Sequence, residues 1–148
     1  MANIIPNSFR GALFEANHNF KASGGNAFSL SLYVGSGSFP YTPTSTVYSA
    51  VDEVSSGGTS NYAVKVLTKL GVVSSTAVAS VDFDNVTWSN ATFSAAYAAI
   101  YNTDTVDGTA NRLVVVLDFG GSKTATNGDF TISFPDPTTA SNAIISMS

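Results

Sequence analysis

Cysteine is absent from this 148-residue chain, and charged side chains make up only 11% of it. The first absence excludes disulfide scaffolds, thiol catalysis, iron–sulfur clusters and cysteine-based zinc sites. The charged fraction is far below the roughly one quarter that is usual in globular domains. Only six residues are Lys or Arg and the formal net charge is −4. We therefore expect neither nucleic acid nor an anionic membrane as a partner.

Long apolar runs are also lacking. The longest one, at 113–117, is far too short to cross a membrane. The N-terminal residues MANIIP have no basic region, and their apolar run is shorter than that of a signal peptide. These features predict a protein that is made in a cytoplasm.

The chain is rich in Val, Thr, Phe and Tyr, and its hydrophobic residues alternate with polar ones almost everywhere after residue 25. Such alternation is typical of β-strands. The pattern predicts strands at 27–34, 62–70, 78–83 with a continuation at 86–88, 92–101, 112–119, 129–134 and 143–147. Strand 27–34 is expected to be half-buried. Gly120-Gly121 and Asn127-Gly128 are predicted to be turns, the second of the hairpin type.

The remaining segments are interpreted as follows. Phe9, Ala12, Leu13 and Ala16 have helical spacing behind Ser8, which predicts one short helix with Ser8 as its N-cap. Residues 1–8 are either an extended N-terminal arm laid across a neighbouring subunit or a disordered terminus. Residues 35–60, rich in Gly, Ser, Thr and Pro, predict a long loop. The sequence therefore predicts one all-β domain over 1–148, an antiparallel β-sandwich or jelly roll.

Residues suited to chemistry are few. His18 is the one histidine, and no Gly-x-Ser-x-Gly motif supplies a nucleophile for it. Asp118-Phe119-Gly120 lacks the other kinase motifs, and the following glycines lack phosphate-loop spacing. We therefore predict no catalytic residue, no cofactor and no enzymatic activity. Alternation places Asp82 and Asp84 on one strand face, which makes them candidate calcium ligands. The run DTVDG at 104–108 could also donate oxygen atoms to calcium.

Three aromatic residues are candidate binding residues. Trp88, Tyr97 and Tyr101 lie in predicted strands and are interpreted as parts of an interface or of a platform for stacking sugars. The alternative is that they belong to the hydrophobic core, where alternate aromatic residues of strands are usually found.

Several motifs together resemble small virion proteins of tailed bacteriophages. The resemblance is closest over 81–135, which contains the runs VTWSNATF (86–93), AAYAAIYN (95–102), LVVVLDFGGSK (113–123) and NGDFTISFP (127–135). The motifs NSF at 7–9, HNF at 18–20 and FSLSLY at 28–33 extend it toward the N-terminus. The resemblance thus spans nearly the whole chain in layout, although each motif alone is common.

What the resemblance implies is a structural protein with a β-sandwich fold on the outer surface of a phage capsid. Its expected role is that of a decoration, or cement, protein, which binds the major capsid protein and stabilises the lattice, commonly as a homotrimer. The group carries no catalytic residues that could be transferred. The alternative is a tail- or fibre-associated module that binds host surface carbohydrate through Trp88 and the tyrosines.

Overall fold

The computed structural model describes residues 1–74, 78–135 and 144–147. In these residues one short helix precedes seven strands. The elements are α1 (Asn7–Phe14), β1 (Phe28–Tyr33), β2 (Lys65–Leu67), β3 (Lys69–Ser74), β4 (Ala79–Phe83), β5 (Val86–Asn102), β6 (Arg112–Ile132) and β7 (Ile145–Met147).

The strands form two antiparallel sheets. One contains four strands in the order β2-β1-β5-β6, and the other contains three in the order β3-β4-β7. The prediction of an all-β, sandwich-like domain is confirmed. Because β2 and β3 follow each other directly in the chain, one continuous segment provides an edge strand to both sheets.

The pair β5–β6 is the longest feature of the fold. The two strands contain 17 and 21 residues and run side by side over most of their length. The Ala-rich part at 92–101 is a strand, as predicted. The turns predicted at Gly120-Gly121 and Asn127-Gly128 are wrong, since both lie within β6, at places where its register with β5 shifts. Positive φ angles at Asn127 and Gly120 provide β-bulges there instead of ending the strand.

Aromatic side chains form much of the core. Phe20 stacks on Phe28 with ring centroids 4.6 Å apart, and both approach Phe83 edge to face. Farther along, Trp88, Phe93 and Phe130 form a second group with centroids 5.0–6.2 Å apart. These groups lie in one continuous hydrophobic cluster with residues of β1 and β6. Tilted and edge-to-face contacts of this kind add to the stabilisation that burial provides.

Strand β1 is buried on both faces, so the prediction of a half-buried strand is wrong. The long loop over 35–60 covers the second face. The Tyr33 hydroxyl lies 2.7 Å from that of Tyr41 and donates to the Ser49 carbonyl oxygen at 2.8 Å. Asp52 accepts hydrogen bonds from the amides of Gly35 and Ser36 at 2.8 and 2.9 Å. Side-chain hydrogen bonds thus order a segment that has little regular structure.

The N-terminal residues pack on their own chain. Ile4 forms an antiparallel bridge with Val116 of β6, which differs from the predicted arm on a neighbouring subunit. The residue at the N-cap of α1 is Pro6, without a side-chain cap. Ser8 is therefore not the N-cap, and its hydroxyl donates to the Ser45 carbonyl oxygen at 3.0 Å. Of the last strand, predicted at 143–147, residues 145–147 are observed, and residue 143 lies outside the described residues.

Candidate functional site

Trp88 is part of the core. Its side chain is 1% exposed, and its indole N–H donates to the Ala63 carbonyl oxygen at 2.7 Å. Tyr62 stacks beside it with a centroid distance of 6.1 Å. A sugar could not reach either face of the indole ring. The interpretation of Trp88 as a glycan-stacking or interface residue is therefore wrong, and the core alternative holds.

The two tyrosines do not lie beside Trp88. They pack against residues of the 35–60 loop, on the face of the sheet that this loop covers. Tyr97 is partly buried and stacks on Phe39 at 4.1 Å. Tyr101 is buried, packs on Tyr48 at 4.6 Å, and its hydroxyl lies 3.4 Å from that of Ser31. Of the three predicted aromatics, Tyr97 alone is partly exposed, so these three residues form no stacking platform.

The two candidate calcium ligands do not converge. Asp82 is buried in β4 and accepts a hydrogen bond from the Phe83 amide at 2.8 Å. Asp84 lies beyond the end of β4, is exposed, and donates its amide to the Thr68 carbonyl oxygen at 3.0 Å. The strand ends between them, which breaks the alternation that the prediction used. No group of three metal-ligating side chains occurs in the described part of the chain.

His18 is buried between Phe9 and Phe20, with ring centroids 5.0 and 6.2 Å away. The Asn102 carbonyl oxygen Oδ1 accepts from the Asp104 amide, so Asn102 Nδ2 faces His18 Nδ1 at 3.1 Å and must donate to it. His18 is thus the tautomer protonated at Nε2. Burial, with a smaller contribution from Arg112, lowers its pKa to about 4. His18 thus packs within the fold, and its Nε2 is buried with no hydrogen-bond partner in the described residues.

Glu53 is the centre of a tyrosine cluster that the sequence did not indicate. Its two carboxylate oxygens accept hydrogen bonds from the hydroxyls of Tyr48 and Tyr62, each at 2.5 Å. Burial raises the pKa of both tyrosines, and the bonds to Glu53 raise it further. The Tyr62 hydroxyl also lies 3.0 Å from the Leu32 amide, which donates to it. The cluster thus connects Glu53 of the 35–60 loop, through the Tyr62 hydroxyl, to the backbone of β1.

Among the residues that the structure describes, two exposed apolar surfaces remain after the residues above are assigned to the fold. The first, which we call the α1–β7 groove, is a cleft of about 470 Å³. Phe14, at the last position of α1, is 94% exposed beside it, and Met147 of β7 is 63% exposed. Most of the lining is aliphatic or aromatic, provided by Ile5, Phe9, Leu13, Phe14, Ile145 and Met147.

The second surface, which we call the β2–β3 row, consists of Val64, Val66, Leu70 and Val72. All four side chains are exposed, Val66 most of all at 76%. The intervening Lys65 and Lys69 point the other way, over the rings of Trp88 and Phe28. The apolar side of this edge therefore faces solvent while the lysine side covers the core. Alternation alone predicts the opposite arrangement, with the lysines facing solvent. The sequence signal for the observed arrangement is that aliphatic groups lie on both sides of the segment.

A further cleft of about 580 Å³ lies along β6, between Leu117 and Pro135, and mixes the charged Asp118, Lys123 and Asp129 with apolar groups. In the described residues no helix is long and apolar enough to span a membrane.

Comparison with known proteins gives no match to a protein-family profile, a curated protein or a solved structure.

Proposed function

We propose that this protein is a structural component of a tailed-phage particle, located on the outer surface of the capsid, where it binds the major capsid protein and stabilises the lattice. The observation that carries the proposal is the α1–β7 groove, with a nearly fully exposed phenylalanine at its rim. Apolar surface of this kind on an otherwise polar protein is typical of protein–protein contact. The resemblance of the sequence to small virion proteins supplies the identity of the partner.

The low charge of the chain supports the same role. A protein held between neighbours in a lattice benefits from a surface that hydrogen-bonds without carrying charges that must be desolvated. Ser, Thr, Asn and Gly dominate here, while charged residues are 11%. The proposed action is passive binding without a reaction. Contacts to several capsid subunits would add their free energies and oppose lattice expansion. A homotrimeric arrangement stays a prediction.

Carbohydrate binding is the second function that the resemblance suggests, but the residues named for it pack within the fold. Trp88 and Tyr101 are buried, and Tyr97 stacks on Phe39. A tail-associated protein that binds sugar would need another surface. The observations on the α1–β7 groove favour a protein partner over a sugar.

The groove can be tested by co-sedimentation with capsids from which the native copies have been removed. We expect Phe14→Ser to weaken binding at least tenfold, because burying a phenylalanine contributes roughly 1.5–3 kcal/mol. The matched control is Val51→Ser, at a loop residue that is 53% exposed and lies outside the groove. We expect its binding to equal that of the wild type.

Two results would count against this account. Equal binding by Phe14→Ser and the wild type would remove the groove from the capsid contact. Failure of the wild-type protein to sediment with stripped capsids would overturn the proposed function itself.

A further inference from the structure

The free edge of β7 borders the α1–β7 groove. This strand is the terminal strand of the three-stranded sheet, and within the described ranges it pairs with β4 alone. Ile145, Ser146 and Met147 all line the groove, although successive side chains of a strand point to opposite faces. Three consecutive residues can do so where a cleft lies along the edge of the strand. One wall of the groove is thus the edge of a sheet, and the other is α1.

The hydrogen bonds of β4 show which backbone groups of β7 point into the groove. The Asp84 amide donates to the Thr68 carbonyl oxygen, on the side of β4 that faces β3. Because backbone groups alternate between the two sides of a strand, those of Val81 face β7 and bond to its partner Ile145. The next residue of β7, Ser146, therefore directs its N–H and C=O away from β4, toward the groove.

This edge lacks the usual protection. Natural sheets cover or charge their free edges, which prevents pairing with other chains. Ile4 and Val47 form bridges along the outer side of β6 and so cover part of that edge. The strand β7 has no charged side chain, and Met147 is 63% exposed. In the described part of the chain no strand pairs with its outer side, so the edge is open to a strand from another chain.

The free backbone groups of Ser146 limit what can fill the groove. Any partner that covers the apolar lining also covers this N–H and C=O, and burial of a polar group without a partner is unfavourable. A helix pairs its backbone groups internally and would leave those of Ser146 unpaired. An extended segment supplies a carbonyl oxygen and an amide to them, as strands do when they add to the edge of a sheet. The groove therefore favours an extended partner.

The groove also carries one charge. Arg10 is exposed and is the only charged residue in its lining. Two ion pairs occur in the described residues, and neither involves Arg10. A carboxylate on the partner would complement this charge. The surface thus fits an extended segment that combines apolar side chains with an aspartate or a glutamate.

We propose that an extended segment of the major capsid protein, apolar and with one acidic residue, adds to β7 as the fourth strand of the three-stranded sheet. Its backbone bonds to the N–H and C=O of Ser146, and its apolar side chains contact Phe14 and Met147. Its carboxylate pairs with Arg10. The inference rests on the proposed function, from which it takes the partner, and adds the way in which that partner binds. Because β7 has three residues, the backbone bonds are few and the apolar contacts provide most of the binding free energy.

A proline at position 146 tests the backbone bond. Ser146→Pro removes the N–H that points into the groove and leaves the bonds of Ile145 and Met147 to β4 in place. Proline is tolerated on edge strands where the missing N–H would face outward. We expect this variant to bind stripped capsids at least fivefold more weakly than the wild type in co-sedimentation, because a carbonyl oxygen of the partner loses its donor.

The matched control is Val72→Pro, at the other edge of the same sheet. Ser80 of β4 faces β3, as Asp84 does, and pairs with Val73. The backbone groups of Val72 therefore point outward as well. Its side chain is 55% exposed and lies outside the groove. We expect Val72→Pro to bind capsids as the wild type does.

The results that would overturn the strand pairing differ from the one that would overturn the proposed function. Equal binding by Ser146→Pro and the wild type would show that the groove binds through side chains alone. Equal weakening by Val72→Pro would show an effect of proline on the whole sheet, and equal weakening by Ser146→Ala would assign the effect to the hydroxyl. Each of these results overturns the pairing. Failure of the wild type to bind capsids would remove the proposed function and this inference together.

The acidic character of the partner is tested by reversing the charge of the groove. We expect Arg10→Glu to weaken binding about fivefold, because attraction to the partner's carboxylate becomes repulsion. The matched control is Lys123→Glu, which makes the same change of net charge at an exposed residue of the cleft along β6. We expect it to keep the wild-type affinity. Equal weakening by the two variants would reflect net charge alone and overturn the acidic residue of the partner.

Hydrogen exchange of the wild-type protein keeps the inference testable if the proline variants fold poorly. The Ser146 amide points into the groove, and no partner for it lies in the described residues of the free protein. We expect its exchange to slow at least tenfold on capsid binding, because it then donates to the partner's backbone. Unchanged exchange in the capsid-bound protein would overturn the strand pairing. Slow exchange in the concentrated free protein would assign the edge to a second copy of this chain and overturn the choice of the capsid protein.

Discussion

The amino-acid sequence predicts the positions of the strands better than it predicts which side chains are exposed. Trp88 lies in a strand as its neighbours suggest, but alternation cannot tell which face of a strand is covered. The covering elements come from distant parts of the chain: the Ala63 carbonyl oxygen binds the indole N–H, and Phe93 and Phe130 surround the ring. The sequence by itself carries no signal of those contacts.

His18 offers a test at this scale, because the chain has no other histidine and its NMR signals are unambiguous. We expect it to titrate at about 4, well below 6.5, since burial disfavours its charged form. The unfolded chain therefore binds more protons between these values. The free energy of unfolding should fall as the pH drops from 6.5 toward 4. Titration near 6.5 would contradict the buried, neutral tautomer.

At the scale of secondary-structure elements, the ends of strands are harder to predict than the strands themselves. Gly120-Gly121 and Asn127-Gly128 are turn signals because they tolerate positive φ angles, yet β6 uses the same property to bulge and continue. Turn and bulge demand the same residues, and only the length of the partner strand decides between them. Since β5 supplies a partner over 17 residues, the glycines bend the pair without ending it. By contrast, β1 was located nearly to the residue because its alternation is uninterrupted.

The connection from β1 into the long loop depends on a glycine. Gly35 has φ +83°, and a Cβ there would lie 2.7 Å from Tyr97 Cε2 and 2.8 Å from Ala96 Cβ. Gly35→Ala should therefore lower the free energy of unfolding by about 1–3 kcal/mol, because β5 cannot move aside. Chemical denaturation measures the change.

The control for Gly35 is Gly37→Ala in the same loop. No atom lies within 4 Å of the Cβ added there, and its φ is not positive. We expect a change smaller than about 0.5 kcal/mol. Equal stability of the two variants would show that the contact between the start of the loop and Tyr97 does not constrain the fold.

At the scale of the whole molecule, the distribution of apolar surface is the feature that bears on function. The aromatic residues and the aspartates that the sequence offered as sites belong largely to the fold, and two apolar surfaces stay exposed in the described part of the chain. The helical spacing of Phe9, Ala12 and Leu13 leaves Phe14 off the buried face of α1, and Phe14 is exposed. The groove beside it also depends on the position of β7, and that is a property of the tertiary structure.

The most direct test of the capsid proposal is the number of copies of this protein per major capsid protein in purified particles, measured by quantitative mass spectrometry. We predict a ratio of the order of one, together with lower resistance to heat or osmotic shock after the protein is stripped. A handful of copies per particle would place it in the tail instead. Absence from the particle would contradict the account.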